Sequence, residues 1–286
     1  MKKIVIIGKG PAGISAALYA KRGGFDTTVI GMDAGSIARA EQIENYYGFA
    51  EPILGAKLSE EGVKGAVRLG VEVISDEVVS IGFEETLVVK TKTQTYPADA
   101  LILATGSKRA VPRLKNFELF DGKGISYCAV CDGFFHRGNE VAVLGNGEYA
   151  LSEALELSNI AKKVTLLTDS QPMQVSVPDT ITVDNRKIAS LEGEERLERI
   201  LFEDGTSLPV SGLFIALGVA GSADFAKKLG AMTEGNRIVV NEKMQTNLPG
   251  LFAAGDCTGG LLQISKAVYE GAVAGMEAVK HLKGGH

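Results

Sequence analysis

One pattern occurs twice along the chain, and it constrains the fold more than any other feature. In each copy a short apolar run leads into a glycine-rich loop, and the loop leads into a segment of helical character. The first copy joins residues 3–7 to the loop Gly8–Gly13, and the second joins residues 140–144 to the loop Gly145–Ala150. A further apolar run follows each helix, which gives the order of a βαβ unit. The sequence therefore predicts an α/β protein with two Rossmann-like, dinucleotide-binding units.

Other apolar runs extend both units and indicate that the second is inserted in the first. They predict strands and helices as follows: strands at 27–31, 71–74, 78–81, 86–91, 100–104, 163–168, 180–183, 213–217 and 237–240, and helices at 56–69, 223–229 and 261–282. Linkers with proline and polar residues separate the units. We expect a first domain over 1–112 plus 244–286 and a second domain over 116–243.

Size and charge exclude several classes of function. The 286 residues, 45% of them hydrophobic, suffice for two cores of ordinary size. With 30 Lys and Arg against 35 Asp and Glu, the net charge of -5 gives no nucleic-acid footprint. The first apolar run ends at Gly8, too early for a signal peptide, and no later run is long enough to span a membrane. A cytoplasmic location is the expectation.

The first glycine loop has the features of a phosphate-binding turn. Gly8 permits the tight turn, Gly10 lets the backbone approach a pyrophosphate, and Gly13 lets the helix pack closely. The N-terminus of the helix offers free N–H groups to phosphate oxygens. A later strand ends in Gly255-Asp256, and the carboxylate of Asp256 can accept a hydrogen bond from a ribityl hydroxyl.

Cys128 and Cys131 form a CxxC pair at the start of a predicted helix. Such a pair can close an easily reduced disulfide, and a helix N-terminus lowers the pKa of the thiol. The alternative is half of a zinc site, which would need further Cys or His ligands. The chain has only Cys257 and three histidines besides, and two of the histidines lie near the C-terminus. Redox chemistry is therefore favoured, no metal is expected, and Cys257 is interpreted as a small buried residue.

The motifs GKGPAG, ENYYGF, ATG, CAVCDGFF and AAGD together resemble the low-molecular-weight thioredoxin reductases along almost the whole chain. The resemblance implies the two-domain pyridine nucleotide-disulfide oxidoreductase class II fold, FAD as cofactor, thioredoxin as substrate and a homodimer. It implies that Cys131 faces the flavin, that Cys128 attacks the substrate disulfide, and that Asp132 exchanges a proton with the departing thiolate. For Asp132 alone, helix capping is an alternative interpretation.

The same resemblance assigns the FAD-binding residues by motif. These residues are Gly8, Gly10, Pro11, Ala12, Gly13, Gln42, Asn45, Ala104, Thr105, Gly106, Gly255, Asp256, Gln263 and Ile264. Without the resemblance, Asn45 would be interpreted as a turn residue and Gln263 as a polar residue at the start of a helix.

The second glycine loop departs from the family. Where the family carries His-Arg-Arg for the 2′-phosphate of NADPH, this chain has Thr168-Asp169-Ser170, and no cation follows before Arg186. Asp169 would repel that phosphate, although it can accept from the ribose hydroxyl of NADH. Tyr149 is bulky for the site, the segment after Asp169 is too short for a crossover helix, and the turn at 218–221 lacks the family's Pro-Asn.

This departure matches a subgroup, the ferredoxin-dependent flavin thioredoxin reductases. We therefore expect reduced ferredoxin as electron donor and a second domain without functional NADPH binding. The alternatives are an NADH- or NADPH-dependent thioredoxin reductase and a non-catalytic flavin redox sensor. The cations at the domain hinge are a candidate ferredoxin contact, or only a solvated face: Lys108, Arg109, Arg113 and Lys115.

Overall fold

A computed structural model describes residues 2–33, 35–106, 112–218 and 221–284, except for the side chains of Arg39 and Cys131. The chain forms two compact units: unit 1 is Met1–Lys108 with Gly221–His286, and unit 2 is Arg109–Ala220. Each unit contains a five-stranded parallel sheet. The predicted fold class, two Rossmann-like units with the second inserted in the first, is confirmed.

Strands and helices follow one another in three stretches of the chain. The first part of unit 1 contains β1 Lys3–Ile7, α1 Pro11–Arg22, β2 Asp26–Ile30, a 3₁₀ turn Gly35–Arg39, α2 Gly55–Arg68, β3 Glu72–Ile74, β4 Val78–Phe83, β5 Leu87–Thr91, β6 Thr95–Ala98 and β7 Ala100–Leu103. Unit 2 contains α3 Phe117–Phe120, β8 Ile125–Ser126, α4 Ala129–Asp132, a 3₁₀ turn Gly133–His136, β9 Glu140–Leu144, α5 Glu148–Ser158, β10 Lys163–Leu167, β11 Thr182–Asp184, β12 Ile188–Glu192, β13 Arg199–Phe202, β14 Ser207–Pro209 and β15 Gly212–Ile215. The return to unit 1 contains α6 Ser222–Leu229, β16 Thr233–Glu234, β17 Arg237–Ile238, β18 Leu251–Ala253, a 3₁₀ turn Asp256–Thr258 and α7 Ile264–Leu282.

The main sheet of unit 1 has the order β18-β7-β1-β2-β3, with all pairs parallel. Its central strand β1 is buried from Ile4 to Ile7, which explains the uninterrupted apolar run. Helices α1 and α7 pack closely because small residues face each other. A Cβ at Gly271 or Gly275 would overlap a carbonyl oxygen of α1.

The main sheet of unit 2 has the order β11-β10-β9-β15-β8 and is also parallel. Each unit carries an antiparallel three-stranded sheet in addition, β4-β5-β6 in unit 1 and β12-β13-β14 in unit 2. The sequence predicted β4 and β5 but none of β12, β13 or β14. These strands are only three to five residues long, too short to separate from loops by their sequence pattern.

The structure corrects the second domain boundary. Residues 221–243 were assigned to the inserted domain, but they belong to unit 1. The start of α6 is joined to the end of β7 by reciprocal hydrogen bonds: Thr105 N donates to Ser222 Oγ at 2.9 Å, and Ser222 N donates to Thr105 Oγ1 at 2.7 Å. These residues are far apart in sequence, so the composition of the linkers could not predict the contact.

Candidate functional site

The first glycine loop forms a backbone cradle with no room for side chains. Gly8 has φ +112°, and a Cβ there would overlap Ala104 O. A Cβ at Gly13 would overlap Gly8 O. Gly10 is the N-cap residue of α1, and Pro11 occupies the first helical position, which needs no N–H. Free backbone N–H groups at a helix start are what a pyrophosphate binds, so the loop fits the group that the sequence predicts.

The predicted FAD-binding residues that follow β7 and β18 lie at the same edge of the unit 1 sheet as the first glycine loop. β1 leads into Gly8, β7 leads into Ala104, and β18 leads into Gly255, so three adjacent parallel strands end together. Open α/β sheets bind ligands at this carboxyl edge. Thr105 and Gly106 follow Ala104, and Ala12 is buried in the first turn of α1.

The Gly255-Asp256 turn is held by a partly buried ion pair that the sequence analysis missed. Lys266 Nζ donates to Gly255 O at 2.9 Å and to Gly259 O at 2.5 Å, and it lies 3.0 Å from Glu270 Oε2. The same Glu270 oxygen accepts from Gly255 N at 2.8 Å. Asp256, half-buried, begins the 3₁₀ turn in this frame. An i,i+4 Lys–Glu pair in α7 was visible in the sequence, but not that it contacts this turn.

Asn45 and Gln263 come together although 218 residues separate them. Asn45 Nδ2 donates to Gln263 Oε1 at 3.1 Å. Gln263 is the N-cap residue of α7 but makes no side-chain capping bond, and Ile264 begins the helix. Gln42 is exposed nearby in sequence. The direct contact supports grouping Asn45 and Gln263 in one site over the separate interpretations as a turn residue and a helix-start residue.

We expect Lys266→Met to weaken FAD binding by about tenfold or more, because the Gly255 turn loses its charged donor and Glu270 keeps a buried charge without its cation. Flavin retained after repeated ultrafiltration, followed by visible absorbance, measures the effect. The matched control is Lys64→Met, which removes an exposed i,i+4 ion pair with Glu60 from α2. Equal flavin loss in both variants would contradict the role of Lys266.

In unit 2, Cys128 is buried and disulfide-bonded, at the start of the segment that forms α4. Cys131 lies within α4, and its side chain falls outside the described part of the structure, so its pairing with Cys128 stays a prediction. Cys257 is a free, buried thiol whose pKa is raised to about 12 by burial. It is a small buried residue, as predicted.

Asp132 contacts the first cysteine through a hydroxyl group that the sequence analysis missed. Ser126 Oγ donates to Asp132 Oδ2 at 2.6 Å and accepts from Cys128 N at 3.2 Å. Asp132 makes no side-chain capping bond to the 3₁₀ turn that follows, so the capping interpretation finds no support. A serine two residues before a cysteine is not a recognisable motif, so the sequence alone did not predict a role for Ser126.

A later segment of the chain packs against the second glycine loop and covers it. Asn146 O accepts from Gln174 N at 2.9 Å, and Asn146 Nδ2 donates to Pro172 O at 2.9 Å. No helix occurs between β10 and β11, a stretch described without gaps, as the short spacing predicted. Tyr149 is buried at the start of α5. The segment therefore folds back over the loop where a pyrophosphate would bind.

Asp169 is already paired at the end of β10. Its φ is +50°, and its carboxylate accepts from Lys187 Nζ at 2.9 Å and from Ile188 N at 2.8 Å. A shallow cleft of about 290 Å³ opens beside it, between Thr168, Gln171, Pro172, Met173, Val183 and Asn185. None of the residues that line this cleft is charged, so nothing in the lining attracts a phosphate.

Some predicted features fall outside what the structure describes. Lys108 and Arg109 of the hinge cluster lie outside the described residues, as do 219 and 220 of the strand-end turn, while Arg113 and Lys115 are exposed. Within the described ranges, no cluster of His, Cys, Asp or Glu has the arrangement of a metal site. Among the same residues, no helix is both long and apolar enough to cross a bilayer.

Comparison with known proteins agrees with this geometry. A family model described as pyridine nucleotide-disulphide oxidoreductase matches residues 2–271. The curated thioredoxin reductase of Listeria innocua is 35% identical over 98% of this chain and 93% of its own length, and that of Buchnera aphidicola is 36% identical over 89% and 88%.

Solved structures extend the comparison. The atypical thioredoxin reductase TRi from Desulfovibrio vulgaris Hildenborough superposes with a TM-score of 0.91 at 42% identity, covering 99% of both chains. A ferredoxin-flavin thioredoxin reductase from Clostridium acetobutylicum gives a TM-score of 0.69 at 32% identity, again over 99% of both chains. The chain thus belongs to the pyridine nucleotide-disulphide oxidoreductase family, among its thioredoxin reductases, which are FAD-binding flavoproteins.

Proposed function

We propose that the protein reduces thioredoxin with electrons from reduced ferredoxin, which pass through FAD and the Cys128/Cys131 disulfide. It acts as a homodimer in the cytoplasm. Two reduced ferredoxins and two protons convert one thioredoxin disulfide to a dithiol. FAD, when bound, accepts electrons singly and delivers them as a pair. The similarity to a ferredoxin-flavin thioredoxin reductase supports this donor.

One observation carries the choice of donor: in unit 2, other parts of the chain lie where a nucleotide would bind. The loop that would hold a pyrophosphate is bonded to residues 172–174 through Asn146. The strand end that would hold a 2′-phosphate carries Asp169, and the cation nearest its carboxylate, Lys187, is committed to an ion pair with it. A dianionic phosphate would have to displace that pair while remaining beside a carboxylate, which opposes NADPH binding.

The residues around the disulfide are assigned complementary roles. Cys128 attacks the disulfide of thioredoxin, and a mixed disulfide forms as one substrate thiolate leaves. Asp132, held by the Ser126 hydroxyl, exchanges a proton with a departing thiolate. Cys131 then displaces the reduced substrate and restores the intramolecular disulfide. Because Cys128 is only 2% exposed, its sulfur must become accessible before a protein disulfide can reach it.

The exposed cations Arg113 and Lys115 support an acidic protein donor. Ferredoxin is acidic, and opposite charge accelerates association of such partners at low ionic strength. We therefore assign the contact with the donor to the segment that begins unit 2.

Anaerobic stopped-flow mixing of the flavin-loaded enzyme with each donor tests the proposal. We expect rapid loss of flavin absorbance with reduced ferredoxin, and flavin reduction at least about 100-fold slower with NADPH or NADH, because neither nucleotide has an open site. Rapid bleaching by NADPH would refute the donor assignment. Rapid bleaching by NADH that disappears in Asp169→Ala would establish the NADH-dependent alternative. A flavin that ferredoxin reduces without any turnover of thioredoxin would establish a redox sensor instead.

A further inference from the structure

A carboxyl group from a neighbouring helix is buried against the CxxC segment. Glu153 of α5 is 1% exposed, and its Oε2 accepts from Ala129 N at 2.8 Å. Ala129 follows Cys128 directly, and both are buried. Burying an ionisable group costs free energy, and an apolar side chain would fill the same space without this cost. The position of Glu153 beside a reactive disulfide therefore points to a role in its chemistry.

Covalent geometry limits how far this carboxyl group is from the reactive sulfur. Four bonds separate Cys128 Sγ from Ala129 N, so the sulfur lies within roughly 8 Å of Glu153 Oε2 whatever its rotamer. At that separation in a partly desolvated site, a carboxylate disfavours a thiolate by about one pKa unit or more. The effect is opposite to that of a helix N-terminus, which favours the thiolate.

Other ionisable groups also face this segment. Asp132 lies on the same short helix and is held by Ser126, adding a second carboxyl group. His136, in the 3₁₀ turn that follows, is buried beside Ser211, and burial lowers the pKa of its imidazole. His136 is therefore neutral at neutral pH and adds no positive charge. The carboxyl groups of Asp132 and Glu153 thus oppose a thiolate, and Arg196, which acts electrostatically on His136, is the nearby charge of opposite sign.

We propose that Glu153 makes the Cys128/Cys131 dithiol a stronger reductant by opposing negative charge on Cys128. The inference rests on the proposed function. Reduction of the disulfide takes two electrons and two protons and yields two thiols, and ionisation of one thiol then stabilises the reduced form. A carboxylate that disfavours this ionisation removes the extra stabilisation, so electrons leave more readily for the disulfide of thioredoxin. Glu153 is a positioning residue, since it acts on Cys128 from outside the reacting atoms.

Glu153→Gln is the decisive variant, because glutamine keeps an oxygen acceptor for Ala129 N–H at the same length and removes only the charge. In a Cys131→Ser background of the flavin-loaded enzyme, the pH dependence of iodoacetamide alkylation reports the Cys128 thiol. Because Cys128 and Cys257 are similarly buried, the background also carries Cys257→Ser, which leaves Cys128 as the thiol that is followed. We expect Glu153→Gln to lower the titration midpoint by about one pH unit, a tenfold gain in thiolate below it. An unchanged midpoint overturns the proposal.

Two comparison variants separate charge from structure. Glu156→Gln makes the same substitution at an exposed position of α5 and is expected to keep the wild-type midpoint. Glu153→Asp keeps the charge on a shorter side chain, so its midpoint is expected near the wild-type value. A fall in Glu153→Asp as large as in Glu153→Gln would assign the effect to the lost contact and overturn the proposal. If the Gln variant does not fold, Glu153→Met replaces it as the neutral side chain.

With both active-site cysteines present, the redox equilibrium against thioredoxin gives an independent readout. At alkaline pH we expect Glu153→Gln to shift this equilibrium up to about tenfold toward reduced enzyme, which corresponds to about 30 mV. A shift toward oxidised enzyme contradicts the proposal. A wild-type enzyme that reduces no thioredoxin refutes the proposed function itself. An active wild type with an unshifted Glu153→Gln refutes only the role of Glu153.

Discussion

Gly13→Ala is expected to destabilise the protein by about 3 kcal/mol or more and to abolish flavin retention. The added Cβ would overlap the carbonyl oxygen of Gly8, a backbone atom that no rotamer change can move. Relief requires α1 to separate from the loop, which opens the cradle proposed for the pyrophosphate. Thermal unfolding followed by far-ultraviolet circular dichroism measures the effect, and we expect the Tm to fall by roughly 10 °C.

Gly65→Ala is the matched control, since it makes the same substitution within a helix of the same unit. A Cβ at Gly65 in α2 meets no atom within 4 Å. Alanine is a better helix former than glycine, so this variant is expected to gain about 0.5–1 kcal/mol and to retain FAD. If Gly13→Ala unfolded at the wild-type temperature with its flavin in place, the close packing of loop and helix would be wrong.

The backbone architecture was predictable because local sequence determines it. Gly8 and Gly13 are required wherever a strand turns directly into a tightly packed helix, and the apolar run at 3–7 belongs to a strand buried on both faces. These constraints act over about 20 residues, which is the range that periodicity and turn chemistry cover. The loop at 145–150 repeats them, so a second unit of the same fold followed.

What could not be predicted depends on contacts between distant parts of the chain. Ser222 meets Thr105 across 117 residues, and this contact moved the boundary of unit 1. Glu153 meets Ala129 across two helices, where the sequence shows an ordinary acidic residue in an amphipathic segment. Neither Ser222 nor Glu153 lies in a motif that the sequence singles out. The three-dimensional path of the chain is needed to bring these groups together.

The same distinction applies to the second glycine loop. The sequence alone indicated that the cations expected beside a 2′-phosphate are absent. It did not indicate that Asn146 bonds to Pro172 or that Lys187 neutralises Asp169. A chain that had lost its cations but kept an open loop could still bind NADH, whereas we expect a loop covered by its own backbone to bind neither nucleotide well. The contacts of Asn146 and Asp169 therefore support the same expectation as the missing cations.

Cys128→Ser is expected to abolish thioredoxin reduction, by on the order of 1000-fold or more, while leaving reduction of the flavin by its donor intact. A serine hydroxyl cannot form the mixed disulfide with thioredoxin that the exchange needs. Coupled reduction of thioredoxin and then of an insoluble disulfide protein measures turnover, and stopped-flow absorbance measures the flavin step separately.

Cys257→Ser is the comparison variant, because it makes the same substitution at a thiol that burial keeps protonated. We expect it to keep at least about half of the activity, since its hydroxyl can still donate to Ala254 O as the thiol does. Equal loss of turnover in the two variants would make Cys257 part of the electron path and contradict the assignment to the CxxC pair. Loss confined to Cys128→Ser places the exchange at the segment where the disulfide-bonded Cys128 is followed by Ala129, which donates to the buried Glu153, and by Asp132, which Ser126 holds.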